Sequence, residues 1–180
     1  MRTLCIFCGS KPGIGPDYME MARNVGTRLA RRGVAIVYGG GRVGLMGALA
    51  DAALAANGRV IGVMPQMLVD REVGHSGLSE LHIVRTMAER KELMGSLADG
   101  FLTLPGGTGT MDELFEAWTW TQLGLQQKPS ALLNFRGYYD PLIAFLDRAV
   151  SEGFLDAHNR ANLWVEHDAE RLVERLCSFR

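Results

Sequence analysis

Short apolar runs alternate with longer segments of helical periodicity along nearly the whole chain. The apolar runs at residues 4–7, 34–38, 60–64 and 101–104 have the length and composition of buried strands. Weaker strands are predicted at 81–84, 131–133 and 163–165, and helices at 16–33, 45–56, 87–98, 110–123, 139–152 and in the tail. Because strand and helix alternate without a linker or an internal repeat, residues 1–180 are predicted to form one α/β domain, a doubly wound parallel sheet with helices on both faces.

The segment 65–80 departs from this alternation. It has no clear periodicity and mixes charged residues with Gly74 and Gly77, so the sequence predicts a long loop there. A loop of that length in a compact domain is often functional.

The charge and length of the chain exclude several classes of protein. The 180 residues carry 19 basic and 20 acidic side chains, which leaves no electrostatic footprint for nucleic acid or for an anionic membrane. No apolar stretch approaches the roughly 20 residues that cross a bilayer, and the first apolar run is too short for a signal peptide. We therefore expect a cytoplasmic protein.

The cysteines and histidines do not predict a metal or redox site. Cys5 and Cys8 match the C-x-x-C spacing, but they lie in a strand-like run, where positions three apart point to opposite faces of the sheet. Buried structural thiols are therefore expected. The four histidines show no paired spacing and no accompanying cysteines, so no metal is expected. They are His75, His82, His158 and His167.

The stretch 104–113, Leu-Pro-Gly-Gly-Thr-Gly-Thr-Met-Asp-Glu, lies where a predicted strand passes into a helix. Three glycines at Gly106, Gly107 and Gly109 let a ligand approach the backbone, and free N–H groups at a helix start bind phosphate or carboxylate. Glu113 is expected in the first helical turn, beside that anion. An alternative is structural: Thr110 and Glu113 also fit a capping box, and that pattern alone favours the structural interpretation.

Two further loops rich in small residues are expected at the same edge of the sheet, at 9–10 and 39–44. Ligands of doubly wound sheets bind beyond the carboxyl ends of the strands. Three such loops at one edge therefore predict a phosphorylated ligand.

The known cofactor motifs fit these loops poorly. Gly39-x-Gly41-x-x-Gly44 satisfies the dinucleotide fingerprint, but the next strand ends Val63-Met64-Pro65-Gln66 without the acid that would hold a ribose. None of the loops carries the Gly-Lys-Ser/Thr of a Walker A motif. A pyridoxal phosphate Schiff base would need one of three lysines, none in a distinctive pattern: Lys11, Lys91 and Lys128.

Arg90 and Lys91 stand early in the helix that precedes the central strand. Cations near a helix N-terminus oppose its dipole, so helix stability does not explain them well. On position alone they remain equally consistent with ordinary exposed charges.

Two motifs together carry a family resemblance. Met87-x-x-Arg90-Lys91, followed by Pro105-Gly106-Gly107-x-Gly109-Thr110-x-x-Glu113, resembles the signature pair of the LOG ("Lonely guy") family of cytokinin riboside 5'-monophosphate phosphoribohydrolases, often labelled lysine decarboxylases. The resemblance extends from residue 4 to about residue 154. Shorter matching pieces are Cys8-Gly9-Ser10, Tyr38-Gly39-Gly40-Gly41, Gly44-Leu45-Met46-Gly47, Trp120-Thr121-Gln122-Leu123-Gly124 and Asn134-x-x-Gly137-Tyr138-Tyr139.

The resemblance implies a Rossmann-like fold, a homodimer with active sites near its interface, no cofactor, and hydrolysis of the N-glycosidic bond of a nucleoside 5'-monophosphate, AMP included. It implies that Arg90 and Glu113 are catalytic. The substrate-binding residues it implies are Ser10, Gly40, Gly41, Glu72, Lys91, Gly107, Thr108, Gly109, Thr110, Met111, Asp112 and Thr119.

These residue types suit that chemistry. Cleavage of a glycosidic bond builds positive charge on the ribose, which a fixed carboxylate such as Glu113 stabilises, or opposite which it directs a water. Arg90 offers a permanently charged fork for phosphate or ribose oxygens. The sequence leaves open whether Glu113 is base, nucleophile or electrostatic partner. It also leaves two other functions: a non-catalytic nucleotide or cofactor carrier of the same fold, and a pyridoxal-dependent decarboxylase.

Overall fold

The computed structural model describes residues 1–71 and 74–179, and within them seven strands form one sheet. The strands are β1 Thr3–Phe7, β2 Ala35–Tyr38, β3 Val60–Pro65, β4 Glu80–Val84, β5 Phe101–Thr103, β6 Ser130–Leu133 and β7 Leu163–Glu166. The helices are α1 Asp17–Arg31, α2 Gly44–Ala55, α3 Gln66–Val69, α4 Met87–Leu97, α5 Thr108–Gln122, α6 Asp140–Ser151, α7 Ala157–Ala161 and α8 Ala169–Ser178.

The sheet is parallel throughout, with the order β4-β3-β2-β1-β5-β6-β7. The chain winds outwards from β1 in one direction and then, from β5, in the other. The switch point lies between β1 and β5, and this is the place where a doubly wound sheet leaves a crevice at its carboxyl edge. The predicted α/β fold class is confirmed.

Alternate residues of each strand pack on opposite faces of this sheet. Leu4 and Ile6 of β1 join a core made with α1, α2 and α8, whereas Cys5 and Phe7 join a core made with α4 and α5. A third cluster joins α5 and α6 to β6 and β7. Burial on both faces explains why the central strands read as continuous apolar runs in the sequence.

The predicted loop at 65–80 is more ordered than its sequence indicates. It begins with the short helix α3, where Gln66 donates a hydrogen bond to Asp70 at 2.7 Å. Farther on, the amide of His75 donates to the carbonyl of Gly40 at 2.9 Å, next to an isolated antiparallel bridge between Gly41 and Gly74. These contacts connect the segment to the β2 loop, and none of them has a periodic signature in the sequence.

The structure differs from the sequence-based prediction at two other elements. Helix α7 is absent from the sequence-based prediction, and α5 begins at Thr108 instead of at residue 110. The second difference alters the interpretation of the site. No helix in the described part of the chain is long and apolar enough to cross a membrane.

Candidate active site

An open cleft of about 820 Å³ lies at the carboxyl edge of the sheet, over the switch point. All three predicted small-residue loops contribute to its wall. The candidate residues that line it are Ser10, Gly41, Arg90, Gly107, Thr108, Gly109, Thr110, Asp112 and Glu113. The sequence-based expectation that these loops meet at one edge is therefore confirmed.

Backbone contacts fix the loops after β1 and β5 against each other. The amide of Gly9 donates to the carbonyl of Pro105 at 3.0 Å, and the amide of Leu45 donates to the carbonyl of Gly9 at 3.0 Å. A Cβ at Gly106 would overlap the side chain of Thr110, so only glycine fits this turn. The hydroxyl of Tyr138 donates to the Gly106 carbonyl at 2.7 Å from the far side. The loops after β1 and β5 are thus hydrogen-bonded to each other along the floor of the cleft, and we call this contact the seam.

The N-terminus of α5 opens into this cleft. Its N-cap is Gly107, and within the described residues no side chain caps it. The amides of Thr108, Gly109 and Thr110 therefore have no partner inside the helix. Gly107 and Gly109 have open space where a Cβ would stand, and residues 107–110 line the cleft.

The capping-box interpretation of Thr110 and Glu113 is wrong. Because α5 begins at Thr108, Thr110 already lies inside the helix, and Glu113 lies in the second turn rather than the predicted first. A capping threonine is found instead on α4, where the Thr86 hydroxyl accepts from the amide of Glu89 at 3.1 Å.

Arg90 is held in the first turns of α4 and points into the protein. Its Nε donates to the carbonyl of Val63 at 3.1 Å, and the residue is only 8% exposed. The interpretation of Arg90 as an exposed surface charge is therefore wrong. Gly39 makes room for it, since an added Cβ there would overlap the guanidinium.

Two of the three glycines of the apparent dinucleotide fingerprint are thus explained by packing. Gly39 accommodates Arg90, while Gly44 has a φ of +59° and lies so close to the backbone of Ser10 that a side chain would overlap it. Neither glycine requirement involves a pyrophosphate.

Arg90 and Glu113 form a nearly buried ion pair. The Nη2 of Arg90 lies 3.6 Å from Oε1 of Glu113, and their side chains are 10% and 11% exposed. Burial raises the pKa of Glu113 from 4.5 to about 7, and Arg90 opposes that rise without cancelling it. Both protonation states of this carboxyl are accessible near neutral pH, which suits a general acid or base.

Four of the expected substrate-binding residues lie outside the cleft wall. The carbonyl of Gly40 is bonded to His75, Met111 packs towards the third core cluster, and Thr119 lies on the exposed side of α5. Lys91 contacts carboxylates on α5. Glu72 lies outside the described residues. The binding roles of all five stay predictions.

The sequence-based analysis missed the apolar part of the wall. One group of side chains there consists of Val43, Met46, Met64, Leu68 and Met87, and two tyrosines, Tyr18 and Tyr138, also line the cleft. Met46, Met87 and Tyr138 occur in motifs that carry the family resemblance, which is the one signal that could have pointed to them.

The thiols of Cys5 and Cys8 are free and buried, and burial raises the pKa of each well above its usual range. Such thiols are inert, as expected for structural cysteines. Within residues 1–71 and 74–179, no group of three or more His, Cys, Asp or Glu side chains could hold a metal ion.

A glycine-lined cleft at the switch point of a doubly wound sheet is the arrangement of nucleotide-binding α/β proteins. Comparison with known proteins is more specific. A family model described as "Possible lysine decarboxylase" matches residues 46–176. The chain belongs to this family, the LOG family.

Relatives of known name agree along the whole chain. It is 44% identical to the cytokinin riboside 5'-monophosphate phosphoribohydrolase of Rhodococcoides fascians, over 98% of this chain and 90% of the relative. It is 43% identical to the Arabidopsis thaliana enzyme LOG7, over 97% of this chain and 81% of the relative. These relatives confirm the predicted family and class of enzyme.

A solved structure confirms the fold. The molybdenum cofactor binding protein of Rippkaea orientalis superposes with a TM-score of 0.74, covering 98% of this chain and 96% of that one. The two are only 20% identical, so the likeness concerns the Rossmann-like fold alone.

We predict that Gly39→Ala destabilises the protein through Arg90. The methyl group displaces the guanidinium from its buried place, an overpacking cost of about 1 to 3 kcal/mol in the free energy of unfolding. In an Arg90→Ala background the same methyl group enters vacated space and should cost much less. Denaturant unfolding of the four proteins of this double-mutant cycle measures the coupling. Equal costs in both backgrounds would mean that Gly39 does not accommodate Arg90.

We also predict that Glu113→Gln changes how stability depends on pH. The folded protein keeps the Glu113 proton between pH 4.5 and about 7 while the unfolded chain has lost it, so the free energy of unfolding falls as pH rises through this window. At pH values above this window, ionisation of Glu113 lowers the free energy of unfolding by about 3 kcal/mol, since each unit of difference in pKa corresponds to about 1.4 kcal/mol. Glutamine cannot ionise, so the variant does not lose stability in this way. The free energy of unfolding of the variant minus that of the parent should therefore be larger at pH 8 than at pH 4. Parallel pH curves for the two proteins would refute the raised pKa.

Proposed function

We propose that this protein hydrolyses the N-glycosidic bond of cytokinin riboside 5'-monophosphates and of AMP, releasing the free base and ribose 5-phosphate. The observation that carries the proposal is the nearly buried Arg90–Glu113 pair beside the uncapped amides of α5, all of them in the wall of one cleft. The names of the relatives at 43 to 44% identity support the same reaction.

The 5'-phosphate is assigned to the N-terminus of α5. Free amides at Thr108, Gly109 and Thr110, with the positive end of the helix dipole behind them, favour an anion there. Binding energy from this phosphate, which takes no part in bond cleavage, positions the ribose against the reacting groups. The phosphate should therefore affect turnover as well as affinity.

Glu113 is assigned to the ribose. Water adds at C1' as the bond from C1' to the base nitrogen breaks. The electron pair of that bond leaves with the base, whose nitrogen takes a proton from solvent, and positive charge develops on the sugar in the transition state. The carboxylate of Glu113 accepts the proton of the attacking water and stabilises the charged sugar. A pKa of about 7 keeps a large fraction of Glu113 ionised at neutral pH and leaves it basic enough to take a proton. Arg90 holds an anionic oxygen of the substrate and opposes protonation of Glu113.

The apolar wall is assigned to the base and its N6 substituent. Met46, Met64 and Met87 present flexible, polarisable side chains, which adapt to ring faces and to branched hydrocarbon chains. An isoprenoid substituent would bury apolar area there, which favours prenylated nucleotides over AMP.

The homodimer and the cytoplasmic location remain parts of this proposal. An apolar surface supports the dimer: Leu123 and Leu125, just after α5, are 67% and 72% exposed. A second copy packed there would cover them and lie close to Thr119, whose substrate-binding role would then involve the interface.

A nucleotide or cofactor carrier without turnover is the second candidate function. The likeness to a molybdenum cofactor binding protein and the glycine-rich loops fit it. A carrier has no need of a buried acid with a pKa near 7, because such an acid costs stability and repels an anionic ligand. The Arg90–Glu113 pair therefore favours the hydrolase.

Release of free base separates the two functions. We expect purified protein to release adenine from AMP, and the prenylated base from N6-prenyl-AMP, while Glu113→Gln releases little of either. The value of kcat/KM for each nucleotide should exceed that for the matched nucleoside by on the order of a hundredfold, since several charge-assisted hydrogen bonds contribute about 1.5 to 3 kcal/mol each.

Equilibrium binding of AMP to the same two proteins is the control. The variant should still bind the nucleotide, because residue 113 does not contact the phosphate in this assignment. Tight binding without base release by the parent would establish the carrier instead. Equal kcat/KM for nucleotide and nucleoside would contradict the assignment of the phosphate to α5.

A further inference from the structure

Lys91 is the neighbour of Arg90 in sequence but points elsewhere. Its Nζ lies 3.0 Å from Oδ2 of Asp112 and also forms an ion pair with Glu116, and its side chain is 17% exposed. Lys91 is absent from the wall of the cleft. The family resemblance implies a substrate contact for this residue, but in the structure both partners of its ammonium group are protein carboxylates.

These contacts belong to a row that joins α4 to α5. Lys91 and Gly95 are one helical turn apart on α4, and Asp112, Glu116 and Trp120 are successive turns of α5. The Trp120 ring lies so close to Gly95 that a Cβ there would approach it to 2.8 Å. Lys91 therefore closes the end of this row that lies nearest the cleft.

Both partners of Lys91 flank Glu113 on α5, at one position before it and three positions after it. Asp112 and Glu116 raise the pKa of Glu113, whereas Arg90 and Lys91 lower it. The charged and titratable groups that act electrostatically on Glu113 or respond to it are Arg90 and Lys91 from α4, Asp112 and Glu116 from α5, and the thiols of Cys5 and Cys8 from the β1 side. Lys91 is the group among these that balances the two flanking acids.

We propose that Lys91 is a positioning residue for Glu113: its ammonium group fixes α5 against α4 and neutralises Asp112 and Glu116, which favours the carboxylate form of Glu113 next to Arg90. The contact with Glu116 also raises the pKa of Lys91 itself, which keeps the ammonium charged throughout the working range of pH. This assignment rests on the proposed hydrolase function for its kinetic consequence, but its electrostatic consequence can be measured without substrate.

The variants Lys91→Met and Lys91→Arg test this role. Lys91→Met leaves two uncompensated acids beside Glu113, so the rising limb of kcat/KM against pH should move to higher pH. A pKa one unit higher lowers the ionised fraction at pH 7 by roughly fivefold, and activity there should fall accordingly. Activity should recover above the limb, where KM should stay within about twofold of the parent. Lys91→Arg keeps the charge and should restore the limb.

The substitution Glu116→Gln shows whether Lys91→Met acts through the lost positive charge or through some other effect on the protein. Added to Lys91→Met it removes one of the uncompensated acids, so the limb should move back towards the parent. Alone it should move the limb to lower pH, the opposite direction. The substrate's 5'-phosphate titrates near pH 6 in all variants, so differences between variants report on the protein. Thermal unfolding of each variant reports whether the fold is retained.

The 13C resonance of the Glu113 carboxyl carbon, titrated without substrate, gives the same comparison independently of turnover. If the parent releases no base, the proposed function fails while this titration still decides the role of Lys91. A rise in the Glu113 pKa in Lys91→Met, reversed by Glu116→Gln, supports the positioning role. An unchanged Glu113 pKa would overturn it. With that pKa unchanged, a KM at least tenfold higher would mark Lys91 as a substrate ligand, and an unchanged KM would mark a surface ion pair.

Discussion

The burial of one carboxyl group beside one guanidinium governs this site. Glu113 lies at the switch point, where the sheet leaves a cleft but little water reaches the base of the second turn of α5, and burial raises its pKa to about 7. Arg90 prevents a larger rise. The carbonyl of Val63 holds Arg90 in place, and Gly39 leaves room for its guanidinium. A pair of this kind costs stability and is retained where chemistry needs it.

The proposed function requires this pair to meet an anionic ligand, and the rest of the site is arranged to allow it. The seam between the loops after β1 and β5 fixes the start of α5, and therefore both the free amides and the position of Glu113 five residues beyond Thr108. In the proposed function, two features of one helix act on two parts of one ligand, the amides on its phosphate and the carboxyl on the ribose that carries the phosphate. The spacing between them is set by helix geometry, which makes it insensitive to changes elsewhere in the cleft.

The sequence predicted the fold well because its strands are buried on both faces and its helices are punctuated by glycine and proline. It predicted the glycine loops and the two charged residues at the site, since each lies in a motif. It failed where the outcome depended on a register of one or two residues: starting α5 at Thr108 instead of residue 110 removed the capping box and moved Glu113 to the second turn. Contacts between distant segments, such as Gly39 with Arg90 and Lys91 with Glu116, have no local signature. In the methionine wall, Met46 and Met87 lie in motifs and Met64 does not.

A crystal structure of Glu113→Gln with bound N6-prenyl-AMP tests the central claim most directly. We expect the phosphate oxygens within about 3 Å of the amides of Thr108, Gly109 and Thr110, the base against the methionine wall, and the side chain of residue 113 facing C1' of the ribose. A phosphate bound away from the start of α5, or a ribose out of reach of residue 113, would contradict the account.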